Sequence, residues 1–141
     1  MIIKQIAIGN EIEGFVESSF SEGFNIISSD DNNKGKTIVI QGILYALGNE
    51  PPAFPSSFDY KQYIYILQFE ESGQEYWICR KNNEFAIYNN ESLFLAESIS
   101  EFKRYWDKNI FSLPRIMVNN IERIVALLSC WQPSCSSWTE A

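Results

Sequence analysis

Two adjoining stretches decide the predicted fold: the apolar run Phe24-Asn25-Ile26-Ile27 and the polar segment Asp30-Asp31-Asn32-Asn33-Lys34-Gly35-Lys36-Thr37. The apolar run follows a Glu-Gly turn and predicts a short buried strand. Beyond the polar segment, four apolar residues recur at the spacing of one helix face: Ile40, Ile43, Leu44 and Leu47. Gly48 stands where such a helix should end. The sequence therefore predicts a strand, a polar loop and a helix in that order.

The last three residues of the polar segment have the properties that a phosphate-binding loop needs. Gly35 allows the backbone to approach an anion closely, and Lys36 supplies a positive charge for the terminal phosphates. Thr37 places a hydroxyl at the first helical turn, where it can bind a magnesium ion. The positive end of the helix dipole faces the same point. These residues predict a nucleotide site, with Lys36 on the β- and γ-phosphates and Thr37 on Mg²⁺.

The earlier residues of the polar segment complete the predicted loop. Three backbone amides are expected to surround the phosphates: those of Asn33, Lys34 and Gly35. Asn32 is expected to shape the loop through side-chain to backbone hydrogen bonds. Asp30 stands where the usual G-x-x-x-x-G-K-[ST] pattern has its first glycine, so that only the second half of the pattern is matched. Asp31 adds a second carboxylate, and both oppose a triphosphate unless they turn outward or help to hold the metal.

The rest of the chain is predicted to be rich in β-structure. A first strand is expected over Ile2 to Ile8. Aromatic and β-branched runs predict an antiparallel meander of three strands: Tyr63 to Phe69, Tyr76 to Arg80 and Phe85 to Tyr88. Three tyrosines form an aromatic stripe: Tyr60, Tyr63 and Tyr65. They are expected to pack against a core, and stacking on an adenine or another base is the less favoured alternative.

Two further helices are predicted in the C-terminal part of the chain. Ser98 and Glu101 have capping-box spacing, and the apolar residues that follow predict a helix that ends near Asn109. Another helical stripe is formed by Ile121, Ile124, Val125 and Leu128.

Composition restricts the possible functions. The chain of 141 residues has 11 Lys and Arg against 18 Asp and Glu, and the resulting charge of −7 opposes direct binding along a nucleic acid. Three basic residues near aromatic side chains could in principle contact a nucleic acid, but they are expected to be solvated surface charges: Lys81, Lys103 and Arg104. Histidine is absent, so that the usual zinc sites and histidine-activated nucleophiles are not expected. No apolar run has the length of a membrane span or a signal peptide, which predicts a cytoplasmic protein without a membrane partner.

The region around the predicted loop resembles the N-terminal ATPase segment of SMC-like proteins. The resemblance rests on four matches: Glu22-Gly23-Phe24-Asn25-Ile26-Ile27, Asn32, Gly35-Lys36-Thr37 and Ile43-Leu44-Tyr45-Ala46-Leu47-Gly48. The family includes chromosome-maintenance and double-strand-break-repair ATPases and relatives in anti-phage defence, and its loop commonly reads G-x-N-G-x-G-K-[ST]. Three residues depart from that pattern: Asp30, Asn33 and Lys34.

The resemblance implies an α/β fold, namely the N-terminal lobe of a P-loop NTPase (ABC-ATPase-like) with an antiparallel β-rich subdomain. The lobe is expected to cover residues 1–128, with its β-rich part at about residues 60–95, and residues 129–141 are expected to form an irregular tail. ATP and Mg²⁺ are the implied cofactors. The implied partner is a second copy of the chain or a complementary ATPase lobe, and DNA would contact that complex rather than this chain alone.

Two elements that hydrolysis needs in this family are missing from the sequence. There is no L-S-G-G signature, and no hydrophobic run ends in Asp-Glu. Hydrolysis is therefore expected only when another lobe or a partner completes the site, in DNA repair or anti-phage defence. The alternative is a non-catalytic interaction module that keeps the fold and has lost nucleotide binding, which the carboxylates of Asp30 and Asp31 favour. A fragment, a truncated product and a split protein would all have this pattern.

Overall fold

The computed structural model describes residues 1–28, 35–49 and 53–125. The strands in these ranges are β1 Ile2–Gly9, β2 Gly14–Glu17, β3 Ile64–Glu71, β4 Gln74–Lys81, β5 Glu84–Tyr88, β6 Leu93–Ala96, β7 Arg115–Val118 and β8 Ile121–Ile124. The helices are α1 Lys36–Ala46 and α2 Ile99–Asn109, with a 3₁₀ turn over Tyr60–Gln62. At 11 residues each, α1 and α2 are too short to cross a membrane.

The first six strands form one antiparallel sheet in the order β2-β1-β3-β4-β5-β6. The predicted first strand and the predicted three-stranded meander are confirmed. Strand alternation places one row of apolar residues on the inner face of this sheet: Ile6, Leu67, Ile78 and Ile87. All four side chains are fully buried, so that this row forms the centre of the core. The edge strands β2 and β6 have four residues each, GFVE and LFLA, and neither sequence alternates between apolar and polar residues.

Both helices pack on the inner face of the sheet. α1 contacts β1, β3 and β4, and α2 contacts β5 and β6. Gly42 lies where α1 crosses β1, because a Cβ added there would come within 2.6 Å of the Cδ1 atom of Ile8. Gly48 ends α1 as predicted, with φ +86°, and lies against the ring of Phe102 on α2. The opposite face of the sheet is not covered by a helix among the described residues.

The helix predicted after the loop is confirmed, but it presents a different face to the sheet. Ile43 and Leu47 are buried as predicted. Ile40 was expected to face the core and is 47% exposed, because the close contact at Gly42 brings Val39 to the sheet instead. Because glycine has no side chain, Gly42 does not appear in a pattern of large apolar residues, and that pattern could not predict which face of α1 contacts the sheet.

The start of α2 agrees with the capping-box prediction. The Oγ atom of Ser98 accepts a hydrogen bond from the N–H of Glu101 at 3.2 Å. The carboxylate of Glu101 in turn accepts a hydrogen bond from the N–H of Glu97 at 2.9 Å. The helix ends at Asn109, as the sequence predicts. Side chains therefore satisfy backbone donors at the amino end of this helix.

The buried strand predicted before the loop is wrong. Phe24 and Ile26 are 87% and 77% exposed, and residues 24–27 form no strand. A strand needs a neighbour for its backbone hydrogen bonds, and the described sheet ends at β2 without providing one. Asn25 instead bonds to Ser21, whose N–H donates to Oδ1 at 2.8 Å and whose carbonyl accepts from Nδ2 at 2.8 Å.

The helix predicted from Ile121 onward is also wrong, because this region forms the antiparallel hairpin β7–β8. The two connecting residues, Asn119 and Asn120, have φ of +51° and +61°. Asparagine tolerates this left-handed conformation, and a two-residue turn of this kind matches the twist of paired strands. The apolar spacing was therefore misleading, and the Asn-Asn pair was the better signal. Leu128 and the tail predicted over residues 129–141 lie outside the described ranges.

Candidate functional site

The amino end of α1 is not capped by the side chain of its N-cap residue. Gly35 occupies the N-cap with φ +93° and ψ −40°, and its carbonyl accepts a hydrogen bond from the N–H of Val39 at 2.9 Å. Since glycine has no side chain, it offers no oxygen to the N–H groups of the first turn, and that turn contains no acidic residue. A Cβ added at Gly35 would meet no described atom within 4 Å. This helix end can therefore receive an anion.

Three of the six predicted site residues lie at this helix end. Gly35, Lys36 and Thr37 run in succession from the N-cap into the first turn of α1. Lys36 is half-buried and Thr37 is exposed, so that the predicted hydroxyl ligand is open to solvent. The other loop residues lie outside the part of the chain that the structure describes: Asp30, Asp31, Asn32, Asn33 and Lys34.

A cavity of about 220 Å³ lies beside Gly35. Most of its lining is apolar: Ile8, Gly14, Phe15, Ile38, Val39 and Phe58. Glu13 and Tyr63 contribute the polar side chains of the wall. A few polar groups in an apolar wall are typical of small-molecule sites, but ligand pockets usually reach roughly 300–1,000 Å³. The cavity is therefore suited to a ring or another part of a ligand, and not to a whole nucleotide.

Tyr63 is held in the wall of this cavity by two contacts. Its hydroxyl donates a hydrogen bond to the carboxylate of Glu13, which lies 50 residues earlier in the chain. This bond to Glu13 raises the pKa of Tyr63. The ring of Phe58 stacks on Tyr63 with 4.6 Å between the ring centres. Nothing in the sequence had singled out Glu13 or Phe58. The contact of Glu13 with Tyr63 depends on the sheet pairing of distant segments, whereas Phe58 is only five residues from Tyr63 in the chain.

The predicted aromatic stripe divides between the core and the cavity. Tyr65 is fully buried, and its hydroxyl donates to the carbonyl of Tyr60 at 3.0 Å. Burial raises the pKa of Tyr65. The ring of Tyr60 stacks on Phe54 with 5.2 Å between the centres. Packing therefore accounts for Tyr60 and Tyr65, whereas Tyr63 is the member of the stripe that lines the cavity beside Gly35.

The carboxyl end of α1 is held by Arg80, a fully buried residue of β4. Its guanidinium donates hydrogen bonds to the carbonyl of Tyr45 and, at 2.8 Å, to the carbonyl of Asn82. The same group lies 3.6 Å from the centre of the Tyr45 ring. A cation at the negative end of the helix dipole stabilises the helix. The available sequence signal was the alternation of Arg80 with the core residue Ile78, which places both on one face.

The aromatic residues near the predicted surface cations are used for packing. Tyr76 stacks on Phe69 with 5.3 Å between the ring centres, and Tyr105 stacks on Phe94 at 4.0 Å. Lys81 and Arg104 are exposed, and Lys103 is half-buried.

Comparison with known proteins gives weak similarity to two curated proteins of the same name, and no family model matches the chain. Over 102 residues, 72% of this chain, it is 28% identical to Lamassu protein LmuB of Bacillus cereus (strain VD014), of which the match covers 18%. Over 86 residues, 61% of this chain, it is 27% identical to Lamassu protein LmuB of Bacillus sp. (strain NCIM 5461 / CCTCC AB 2011126 / NIO-1130), of which the match covers 15%. The matched region spans less than a fifth of the length of these curated relatives.

Proposed function

We propose that this chain is the ATP- and Mg²⁺-binding part of an SMC-like ATPase that acts in anti-phage defence. The weak similarity to Lamassu protein LmuB supports the SMC-like link and the anti-phage role that the sequence resemblance implied. The matched region covers only a small share of those relatives. The proposal for this chain is therefore nucleotide binding, and hydrolysis is proposed only together with another lobe or a partner.

The observation that carries the proposal is the amino end of α1, which no side chain of the described residues caps. Gly35, Lys36 and Thr37 stand at that end in the order that a phosphate-binding loop requires. The backbone donors of the first turn receive no bond from an N-cap side chain, and the helix dipole adds a partial positive charge. A polyphosphate would supply the missing acceptors. A purely structural helix start would more often have a Ser, Thr, Asp or Asn cap.

The proposed roles follow from this geometry. Lys36 binds the β- and γ-phosphates, and the hydroxyl of Thr37 binds Mg²⁺. The loop donors are the backbone amides of Asn33, Lys34 and Gly35, with Asn32 shaping the loop. The cavity beside Gly35 takes the base, which would lie against the ring of Tyr63.

The exposure of several large apolar side chains supports the proposal that a second lobe packs against this chain. Phe24 and Ile26, just before the loop, are almost fully exposed, and Ile40 is half-exposed on α1. Each would be stabilised by burial, at roughly 1.5–3 kcal/mol for a side chain of this size. A lobe that supplies a strand for residues 24–27 would cover this surface and would bring the missing signature and acidic elements. Hydrolysis is therefore expected of the completed protein and not of this chain alone.

Thermal unfolding with and without Mg-ATP tests nucleotide binding. A ligand at 100 times its dissociation constant should stabilise the wild-type chain by about 2.7 kcal/mol. Lys36→Ala should abolish most of this stabilisation, and Thr37→Val should abolish the part that depends on Mg²⁺. Lys61→Ala is the matched control, because it removes an exposed lysine from the 3₁₀ turn. An absent shift, or the same shift in Lys36→Ala, would favour the non-catalytic interaction module.

A further inference from the structure

The outer face of the sheet, opposite the helices, has a groove whose floor is bare backbone. Gly9 of β1 and Gly14 of β2 are directly paired, and Gly9 also pairs with Ile64 of β3. Because neither glycine has a side chain, the paired strands leave an open depression of about 620 Å³. Neither glycine has a positive φ, so that the backbone conformation does not require glycine at these positions.

The walls of this groove are apolar. Val16 of β2 lines it on one side of β1, and Ile64 and Ile66 of β3 line it on the other side. All three side chains are exposed. An antiparallel sheet with one face on the core usually turns polar residues outward on its other face. Contiguous apolar surface beside a depression is instead typical of an interaction site.

An exposed isoleucine stands at the rim of the same groove. Ile12, in the turn between β1 and β2, is 93% exposed and lines the groove. The turn is fixed by Asn10, whose Oδ1 accepts hydrogen bonds from the N–H groups of Ile12 and Glu13, both at 2.9 Å. The N–H of Asn10 also donates to the carbonyl of Glu13 at 2.9 Å. The backbone that carries this side chain is thus fixed, which lowers the entropy cost of ordering the turn against a partner.

Two opposite charges complete the surface. Glu11 precedes the exposed isoleucine in the turn, and Lys81 lines the groove from β4. Within the described ranges, neither side chain forms an ion pair. One small surface therefore contains an apolar projection with an acidic neighbour and an apolar groove with a basic neighbour.

We propose that this surface binds a second copy of the chain about a two-fold axis. Ile12 of each copy inserts into the glycine-floored groove of the other, and Glu11 of each copy meets Lys81 of the other. In a two-fold interface each contact occurs twice, and a surface that holds both a projection and its groove is self-complementary. Gly14 lines both this groove and the cavity beside Gly35, but Glu11, Ile12 and Lys81 line the groove alone, so that this association needs no nucleotide.

Sedimentation equilibrium of the 141-residue chain, without nucleotide and over a range of concentrations, tests the proposal. The wild type should show a concentration-dependent monomer–dimer equilibrium. Gly14→Leu should fill the groove and give a monomer that remains folded, because a Cβ at this position has no contact closer than 3.9 Å. Ile12→Ser should weaken the dimer by roughly a hundredfold to ten-thousandfold, because it removes two buried side chains, one from each copy. Ile116→Ser is the matched control, since Ile116 is half-exposed on β7, and it should leave the equilibrium unchanged.

A charge exchange gives a second test that does not depend on packing. Glu11→Lys and Lys81→Glu should each weaken the dimer several-fold, and the double variant should restore it. Circular dichroism and the melting temperature show that each variant is folded. A wild type that stays monomeric at every concentration overturns the proposal, as does a dimer that survives Gly14→Leu. A dimer that forms only with Mg-ATP, or that Lys36→Ala abolishes, overturns it as well and assigns the contact to the nucleotide site.

Discussion

The two helices have the same length of 11 residues and begin in opposite ways. At α2, the side chains of Ser98 and Glu101 accept hydrogen bonds from backbone N–H groups. At α1, the N-cap is Gly35, which has no side chain to offer. Side chains at the start of α2 thus accept bonds from its first backbone donors, whereas the N-cap of α1 provides no such acceptor. The difference agrees with the two roles given to these helices: support of the fold for α2, and the proposed phosphate binding for α1.

The same contrast extends to the sides of the helices. On α2, Phe102 and Trp106 are buried, and the remaining positions are mainly charged or polar. On α1, the apolar residues exceed what one sheet covers, so that Ile40 remains half-exposed. One sheet face covers the large apolar residues Phe102 and Trp106 of α2, whereas it leaves Ile40 of α1 half-exposed.

The largest expected effect comes from the supporting helix. Trp106 stacks on Phe69 with 5.1 Å between the ring centres and meets Phe111 edge-on at 5.5 Å. Trp106→Ala should lower the free energy of unfolding by about 3–5 kcal/mol, because it leaves a cavity in the aromatic core. Urea denaturation followed by circular dichroism measures this. A loss below about 1 kcal/mol would break the comparison, since α2 would then not support the fold.

A smaller effect is expected at the start of α1. Gly35 has φ +93°, a conformation that side chains with a Cβ disfavour. Gly35→Ala should lower the free energy of unfolding by about 1–2 kcal/mol, although a methyl group has free space there. Thermal unfolding of the variant without ligand gives the value. An unchanged stability would mean that the N-cap adopts an ordinary backbone conformation in solution.

The cap of α2 sharpens the contrast between the two helices. Ser98→Ala should lower the free energy of unfolding by about 1 kcal/mol, because the N–H of Glu101 loses its acceptor. It should leave any stabilisation by Mg-ATP unchanged, whereas Lys36→Ala should have the reverse pair of effects. Both variants can be compared in one series of melting curves. A Mg-ATP response that depends on Ser98 and not on Lys36 would contradict the assignment of roles.

The smallest effect concerns pH at the carboxyl end of α2. The N–H of Leu113 donates to the carboxylate of Asp107 at 2.7 Å and lowers the pKa of Asp107, with a further contribution from Arg115 at 2.8 Å. Because the folded pKa is below that of the unfolded chain, the stabilisation is present above about pH 4 and is lost as the pH falls through the folded value. Asp107→Asn should therefore flatten the stability profile below about pH 4. An equally steep profile in the variant would show that other carboxylates cause the loss.

Local signals in the sequence were sufficient for much of the fold. The alternation in β1 and in the meander predicted the sheet, and the Ser98 and Glu101 pair predicted the start of α2. These features depend on residues close together in the chain, where propensity and capping act directly. At the candidate site, the same reasoning located Gly35, Lys36 and Thr37 at a helix start.

Features that depend on distant or missing neighbours could not be predicted. The run Phe24-Asn25-Ile26-Ile27 has the composition of a strand, but composition cannot tell whether a pairing strand is present. The cavity wall joins Glu13 to Tyr63 through the pairing of β1 with β2 and β3, which a pattern within one segment does not contain. The separate two-stranded hairpin after α2 was missed because apolar spacing was given more weight than its Asn-Asn turn.

The close contact at Gly42 has a mechanical consequence for α1. Because Gly42 has no side chain, α1 lies close to β1, and the side chain of Ile8 fills the space up to the helix backbone. Sliding or rolling of α1 on β1 would bring a residue bulkier than Gly42 against Ile8, which close packing opposes. A displacement of the first turn of α1 would therefore be transmitted to β1 through this contact, so that the helix and the sheet would move together.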